Sequence, residues 1–221
     1  MELCSNLYES GTTPSAATIR WAVQMLDIPV FVLVRPRGGD FVYSELEFEL
    51  LRSDIEFCRN EGVAGIVSGA LLPDNSIDRE RTRLLLDAAA PLPFTFHRAF
   101  DLTPDLNHSL ETLIELGVDR VLTSGGKPTA PQAVSNLKNL HEQAAGRITI
   151  LPGGGINSSN IAALLTTGCA EFHMTGNAFV RSPALPGRIA LNGSADIPER
   201  DHRESSVERI QAVVEQLRAA E

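Results

Sequence analysis

Short apolar runs and longer amphipathic stretches alternate along the chain in a steady rhythm. The short runs are Glu2 to Cys4, Val30 to Val34, Gly65 to Ser68, Phe94 to His97, Arg120 to Thr123, Ile148 to Leu151 and Glu171 to Met174. Segments this brief and this rich in β-branched and aromatic residues suit parallel strands buried on both faces. Between them the apolar positions recur at helical spacing. Ser15 to Leu26 opens with Ser15 behind Pro14, while Ser44 to Glu61 opens with Ser44 and Glu47 at capping-box spacing and stops at Gly62. Asp78 to Ala90, Leu106 to Leu116, Ala130 to Ala145 and Ser158 to Thr167 continue the series, the last three each followed by a glycine. A strand followed by a helix, repeated every ~25–30 residues, is the pattern of right-handed βαβ units.

Two architectures fit that pattern, a doubly wound sheet and a closed barrel, and the position of the polar residues chooses between them. Arg35 and Arg37, Ser68 and Gly69, His97 and Arg98, Thr123 to Gly126, Gly153 to Gly155, and His173 stand at the carboxyl ends of nearly every strand. They do not gather at one switch point. A ring of polar strand ends is what the mouth of a (β/α) TIM-type barrel requires, and that α/β fold is predicted here as one domain over 1–221. Seven strands are recognisable where such a barrel has eight, so the closure is expected to be incomplete. Residues 176–205, rich in proline, glycine and charge, read as an irregular tail with "RIAL" (188–191) as a weak strand candidate, and Ser206 to Ala220 read as a final helix.

Composition narrows the partners. The 221 residues carry a formal net charge of −9 with acids scattered along the chain, which argues against nucleic acid and favours small ligands. No apolar run approaches the ~18 residues needed to cross a bilayer, so no membrane association is expected. Only three cysteines, Cys4, Cys58 and Cys169, occur, and no basic-then-apolar leader opens the chain, which points to a reducing, cytoplasmic setting, with the nucleus open to it in a eukaryotic cell. No zinc spacing, P-loop, nucleophile elbow or dinucleotide fingerprint appears, so no organic cofactor is indicated.

The blocks "ELCSNLYESGTTPS", "IPVFVLVRPRGGDFVYSE", "FTFHRAFD", "RVLTSGG", "ILPGGGINSSN" and "EFHMTG" together resemble the CutC copper homeostasis family, from residue 2 to about 176. The resemblance implies a (β/α) barrel and a role in copper handling. It also implies a further amino-terminal strand with its own cysteine, ahead of the segment that matches "ELC". Copper(I) binding in the family is attributed to that cysteine together with the one matching Cys4, so only half of such a site falls within this sequence.

The residues themselves offer two chemistries. A soft thiolate suits copper(I), but one thiolate holds it weakly against cellular thiols; Met174, an imidazole or a second subunit's Cys4 could complete the site. Cys58 and Cys169 read as small core residues. At the mouth, alternation along "FVLVRPR" sets Phe31, Leu33, Arg35 and Arg37 on one side and Val30, Val32 and Val34 on the other, so the arginines are expected to face the lumen. The same parity pairs Glu2 with Cys4 and Thr95 with His97. Glu2, Arg35, Arg37 and His97 form a candidate catalytic set, with His173 beside it, in which arginine binds carboxylate or phosphate and His97 moves a proton under the influence of Glu2. The alternative is a self-satisfied ion-pair cluster, since a buried arginine needs a carboxylate partner. Asp40 and Asp101 are expected to pair with Arg37 and Arg98 or to cap loops. Ser124 and Lys127 in "TSGGKP", and Gly153, Gly154 and Gly155 before a helix capped by Asn157 or Ser158, form a candidate anion cradle. His108, His141 and His202 read as surface residues, and Trp21 as packing. The exposed sheet edges of an incomplete barrel make a homodimer a reasonable expectation.

Overall fold

The computed structural model describes residues 1–183 and 202–220. Six parallel strands, β1 (Glu2–Leu3), β2 (Phe31–Leu33), β3 (Gly65–Ser68), β4 (Phe94–Phe96), β5 (Arg120–Thr123) and β6 (Thr149–Pro152), pair in strict chain order. Helices α1 (Ala16–Met25), α2 (Glu45–Asn60), α3 (Arg79–Ala89), α4 (Leu106–Leu116) and α5 (Val134–Ala144) form the crossovers. The sheet curls into a half-barrel of the TIM type, as the strand–helix rhythm predicts. The seventh expected strand, Glu171 to Met174, is reduced to a single parallel bridge between Gly153 and His173, although His173 N–H still donates to the Pro152 carbonyl at 2.8 Å.

Side-chain parity explains why the strands bury both faces. Val30, Val32, Val34, Ile66, Phe94, Phe96, Val121, Ile148 and Ile150 belong to the principal core, packed with Leu51, Ile55, Leu85, Leu110 and Leu113 of the helices. The opposite parity, Leu33, Val67, Thr95 and Leu122, is also buried but lines the inside of the curl. Phe31 fills the floor of that interior because residue 65 is glycine: a Cβ there would lie 2.2 Å from the Phe31 ring. Arg120 stacks on the other side of this ring, 5.1 Å from its centroid, and bonds Glu171 at 2.8 Å.

The helix starts follow their caps. Ser44 accepts from Glu47 N–H at 3.3 Å while the Glu47 carboxylate accepts from Ser44 N–H at 2.8 Å, a complete capping box. Two helices are shorter than their patterns predict. Pro131 falls in a 3-10 turn, Ala130–Ala133, that precedes α5 instead of belonging to it. In place of Ser158 to Thr167, only α6 (Ile161–Leu165) is α-helical, because Asn157 accepts from the backbone and hydroxyl of Ser159 and Asn160 accepts from Asn157 N–H. Such side-chain bonds to backbone compete with the helix.

The "irregular" tail contains order that the pattern does not predict. β7 (Asn177–Val180) pairs antiparallel with β8 (His202–Ser205), and Arg203 lies over the rings of both Phe179 and Tyr8. The "RIAL" candidate lies outside the described residues. The last helix, α7 (Val207–Arg218), is close to its predicted span and packs Val213 into a second cluster with Ile156, Ile161 and Leu164. Trp21, expected to serve as ordinary packing, is 67% exposed on α1.

Candidate functional site

The carboxyl ends of β2 and β4 carry two of the expected residues into one buried corner. Arg35 follows β2 with inward parity and is only 4% exposed. Thr13 clamps its backbone, accepting from Arg35 N–H at 2.9 Å and donating to its carbonyl at 3.1 Å. The guanidinium donates to three backbone carbonyls, those of Glu9 (2.6 Å), Gly11 (3.0 Å) and Gly39 (2.6 Å), and rests 4.7 Å from the Phe41 ring centroid. The expected carboxylate partner is not what holds it: among the described residues no carboxylate lies within 4 Å of Arg35. Carbonyl dipoles of the loops take that role instead.

His97, at the end of β4, packs against the same aromatic ring, with centroids 4.6 Å apart. Its Nδ1 accepts from Ala99 N–H at 3.4 Å, and its Nε2 is buried with no partner among the described residues. Burial, reinforced by the charge of Arg35, pushes the imidazole pKa down to about 3. A general base near neutrality is therefore not its natural role; the ring is a neutral group whose free N–H can donate.

Arg37 departs from the alternation. Pro36 and two glycines break the strand, and Arg37 turns out over the loop, where it pairs with Glu47 and Asp40 and donates to the carbonyls of Gly38 and Val42. Asp40 is thus the partner expected for it. The hydrogen bonds of Arg37 and Ser44 hold the Glu47 carboxyl down at about 2. Tyr43, which periodicity marks only as a residue before a helix cap, lies 4% exposed beside these arginines; burial pushes its phenol up to about 12, and its hydroxyl has no partner among the described residues.

Glu2 does not reach His97. It faces His173 instead, Oε2 to Nε2 3.5 Å, and its charge, after burial, helps raise the Cys4 thiol to about 11. Cys4 is half-buried just past β1, whereas Cys58 and Cys169 are sealed in the apolar core. Met174 packs in the second cluster beside α7, on the parity opposite to His173, and so is not placed to complete a Cys4 site. Among the described residues no group of three or more His, Cys, Asp or Glu side chains is arranged to hold a metal ion.

The glycine-rich loop after β5 is organised around Asp101, and Arg98 carries the contact on to the loop after β6. Its carboxylate, 7% exposed, accepts from the Thr123 hydroxyl, from Ser124 N–H at 2.9 Å and hydroxyl at 2.9 Å, from Gly126 N–H at 3.0 Å and from Arg98 Nε at 2.8 Å. The amides of Ser124 and Gly126, on the β5 side of the predicted cradle, are thus occupied by an internal anion. Arg98 also donates to Ser124 Oγ at 2.6 Å and approaches Gly154 so closely that a Cβ there would lie 3.2 Å from Nη1, while the φ of +97° independently favours glycine. Gly153 and Gly155 flank it, Gly153 donating to the Thr123 carbonyl and Gly155 accepting from the Asn160 amide. Lys127 is exposed at the rim. The helix after this loop is capped at Asn160 and not at Asn157 or Ser158, so its amino terminus begins well past the glycines.

A curled parallel sheet whose polar residues collect at the strand carboxyl ends defines a protein of the (β/α)-barrel class. Within that class the chain belongs to the CutC family, whose model matches residues 1–178. It is 42% identical over 219 residues to a CutC family protein of Chromobacterium violaceum, covering 98% of this chain and 89% of that one. It is 42% identical over 217 residues to the human copper homeostasis protein cutC homolog, covering 96% and 79% of the two chains. The crystal structure of CutC from Streptococcus agalactiae superposes with a TM-score of 0.75 at 38% identity, covering 78% of this chain and 86% of that one.

Proposed function

We propose that this chain acts in copper homeostasis, the role named for its human relative, and that it does so in the cytosol by binding and passing on cuprous ion through Cys4. The supporting observation is that Cys4 is the one thiol of the three left outside the apolar cores, at a strand end beside the Glu2–His173 pair. A soft thiolate is the ligand that copper(I) prefers, and a site with few ligands suits an ion that must be released again. Three free thiols agree with a reducing compartment. No helix among the described residues is long and apolar enough to cross a membrane. Two copies associate in this reading, since β1 and β6 end the hydrogen-bonded ladder.

Anaerobic titration against a chromophoric cuprous chelator tests the metal reading. One equivalent per chain, lost in Cys4→Ala and kept in Cys169→Ala, is the expected result; equal affinity in wild type and Cys4→Ala overturns it.

A second reading, binding or turnover of a small anionic metabolite at the mouth, is favoured by Arg35, a buried cation satisfied by carbonyls and lacking a carboxylate partner among the described residues. Buried charge without a counter-charge is costly, and a ligand that supplies one repays that cost.

A further inference from the structure

We propose that Arg35, Tyr43 and His97 form a subsite for the carboxylate of a small organic acid, built of three groups that can each donate a hydrogen bond. The proposal rests on the small-anion reading of Arg35 and gives it a ligand class and a third residue.

Three of the buried side-chain polar atoms without a partner among the described residues belong to this one corner: Arg35 Nε, Tyr43 Oη and His97 Nε2. Leaving a buried polar atom unpaired is costly, so their concentration in one place points to a ligand that pairs them. Arg35 spends its terminal nitrogens on the Glu9, Gly11 and Gly39 carbonyls, which fix the plane of the guanidinium and leave Nε–H over. The Tyr43 phenol lies against that guanidinium, its O–H is left free to donate, and burial keeps it protonated. In His97 the bond from Ala99 N–H makes Nδ1 the acceptor, which places the proton of the neutral ring on Nε2. The Phe41 ring is the common wall, 4.7 Å from the guanidinium carbon and 4.6 Å from the imidazole centroid.

Charge selects the ligand. The corner has one formal positive charge, on Arg35, with a neutral phenol and a neutral imidazole beside it. Arg37, which lies over the Tyr43 ring, is already paired with Asp40 and Glu47. A carboxylate monoanion balances that single charge and offers two oxygens to three donors. A phosphate dianion leaves one negative charge uncompensated in a buried place, and the loop amides that would serve it, those of Ser124 and Gly126, already bind Asp101.

The test is calorimetry on the full chain at neutral pH with acetate and propionate, against inorganic phosphate and chloride at matched ionic strength. Saturable carboxylate binding is expected in the millimolar range, about −4 kcal/mol, with phosphate at least about tenfold weaker. Tyr43→Phe keeps the ring and removes only the hydroxyl, and should weaken acetate about fivefold to tenfold, while His97→Phe removes the second donor with a similar loss. Phosphate binding more tightly than either carboxylate overturns the carboxylate assignment while leaving the small-anion reading standing. Absence of saturable binding by any of the anions removes both, and carboxylate binding indifferent to Tyr43→Phe and His97→Phe removes this location.

Discussion

At the scale of single residues, the environment of each titratable group decides what it can do. His97 has a folded pKa of about 3 against an unfolded value near 6.5, so the unfolded chain takes up a proton that the folded chain refuses. Its contribution to stability is complete above pH ~6.5 and declines by ~1.4 kcal/mol per pH unit as pH falls towards 3. Urea midpoints measured from pH 7 down to pH ~4.5 should therefore show a steeper loss in wild type than in His97→Phe; parallel profiles would disprove the buried neutral ring. Cys4 shifts the other way, to about 11, so copper must displace a proton at neutral pH. Cuprous affinity should rise about tenfold per pH unit between pH ~6 and ~9, and a flat profile in the chelator titration would contradict a protonated resting thiol. Parity predicts that Arg35 faces inward, and it does, since a two-residue period holds to the end of β2. It cannot predict that Arg37 turns outward, because Pro36 stands between the two arginines and Gly38 and Gly39 bend the chain just after, nor that carbonyls instead of a carboxylate satisfy Arg35. Tyr43 gives no sequence signal at all, as a tyrosine before a helix cap reads as ordinary packing, and only the fold shows its hydroxyl buried.

At the scale of elements, the caps are where a few atoms fix a boundary. Ser44→Ala removes the acceptor for Glu47 N–H and should lower stability by about 1 kcal/mol, with Ser44→Asp largely retaining it, as read from urea denaturation. A loss well beyond that figure would indicate that Ser44 also holds the loop of Arg37, which shares Glu47 with the cap. Strands and most helices were readable from periodicity because burial on both faces leaves a strong apolar signal. α6 was overestimated because Asn157, Ser158, Ser159 and Asn160 prefer local side-chain bonds to helical ones. The β7–β8 pair was missed for a different reason: its register joins segments more than twenty residues apart, and "HRES" is polar and exposed throughout, so no hydrophobic alternation marks it.

At the scale of the whole molecule, the curl of six strands is the property that makes distant residues neighbours, and it also leaves a ladder with two ends. Light scattering at micromolar concentration should return the mass of a dimer; a monomer throughout would remove the association inferred from those ends. The exposed Trp21 and Met25 on α1 give a convenient fluorescence probe of whether that helix takes part, since burial of the indole shifts its emission to the blue. The ring of polar strand ends identifies the mouth from sequence alone. What it could not show was the division of that mouth into separate corners, Glu2 with His173 and Cys4 on one side, Arg35 with His97 and Tyr43 on another, because that division depends on how far the sheet curls.

Asp101 is in effect a built-in guest, a carboxylate seated where a free ion would otherwise settle, and it pins two loops that no ladder bond connects. Shortening it to alanine should loosen the rim and lower stability by about 3 kcal/mol or more. It should also leave a hollow already shaped for its replacement, so that acetate or sulfate added from outside restores part of the lost melting temperature in Asp101→Ala and does nothing comparable for wild type. The mouth would then have become a receptor simply by losing its tenant.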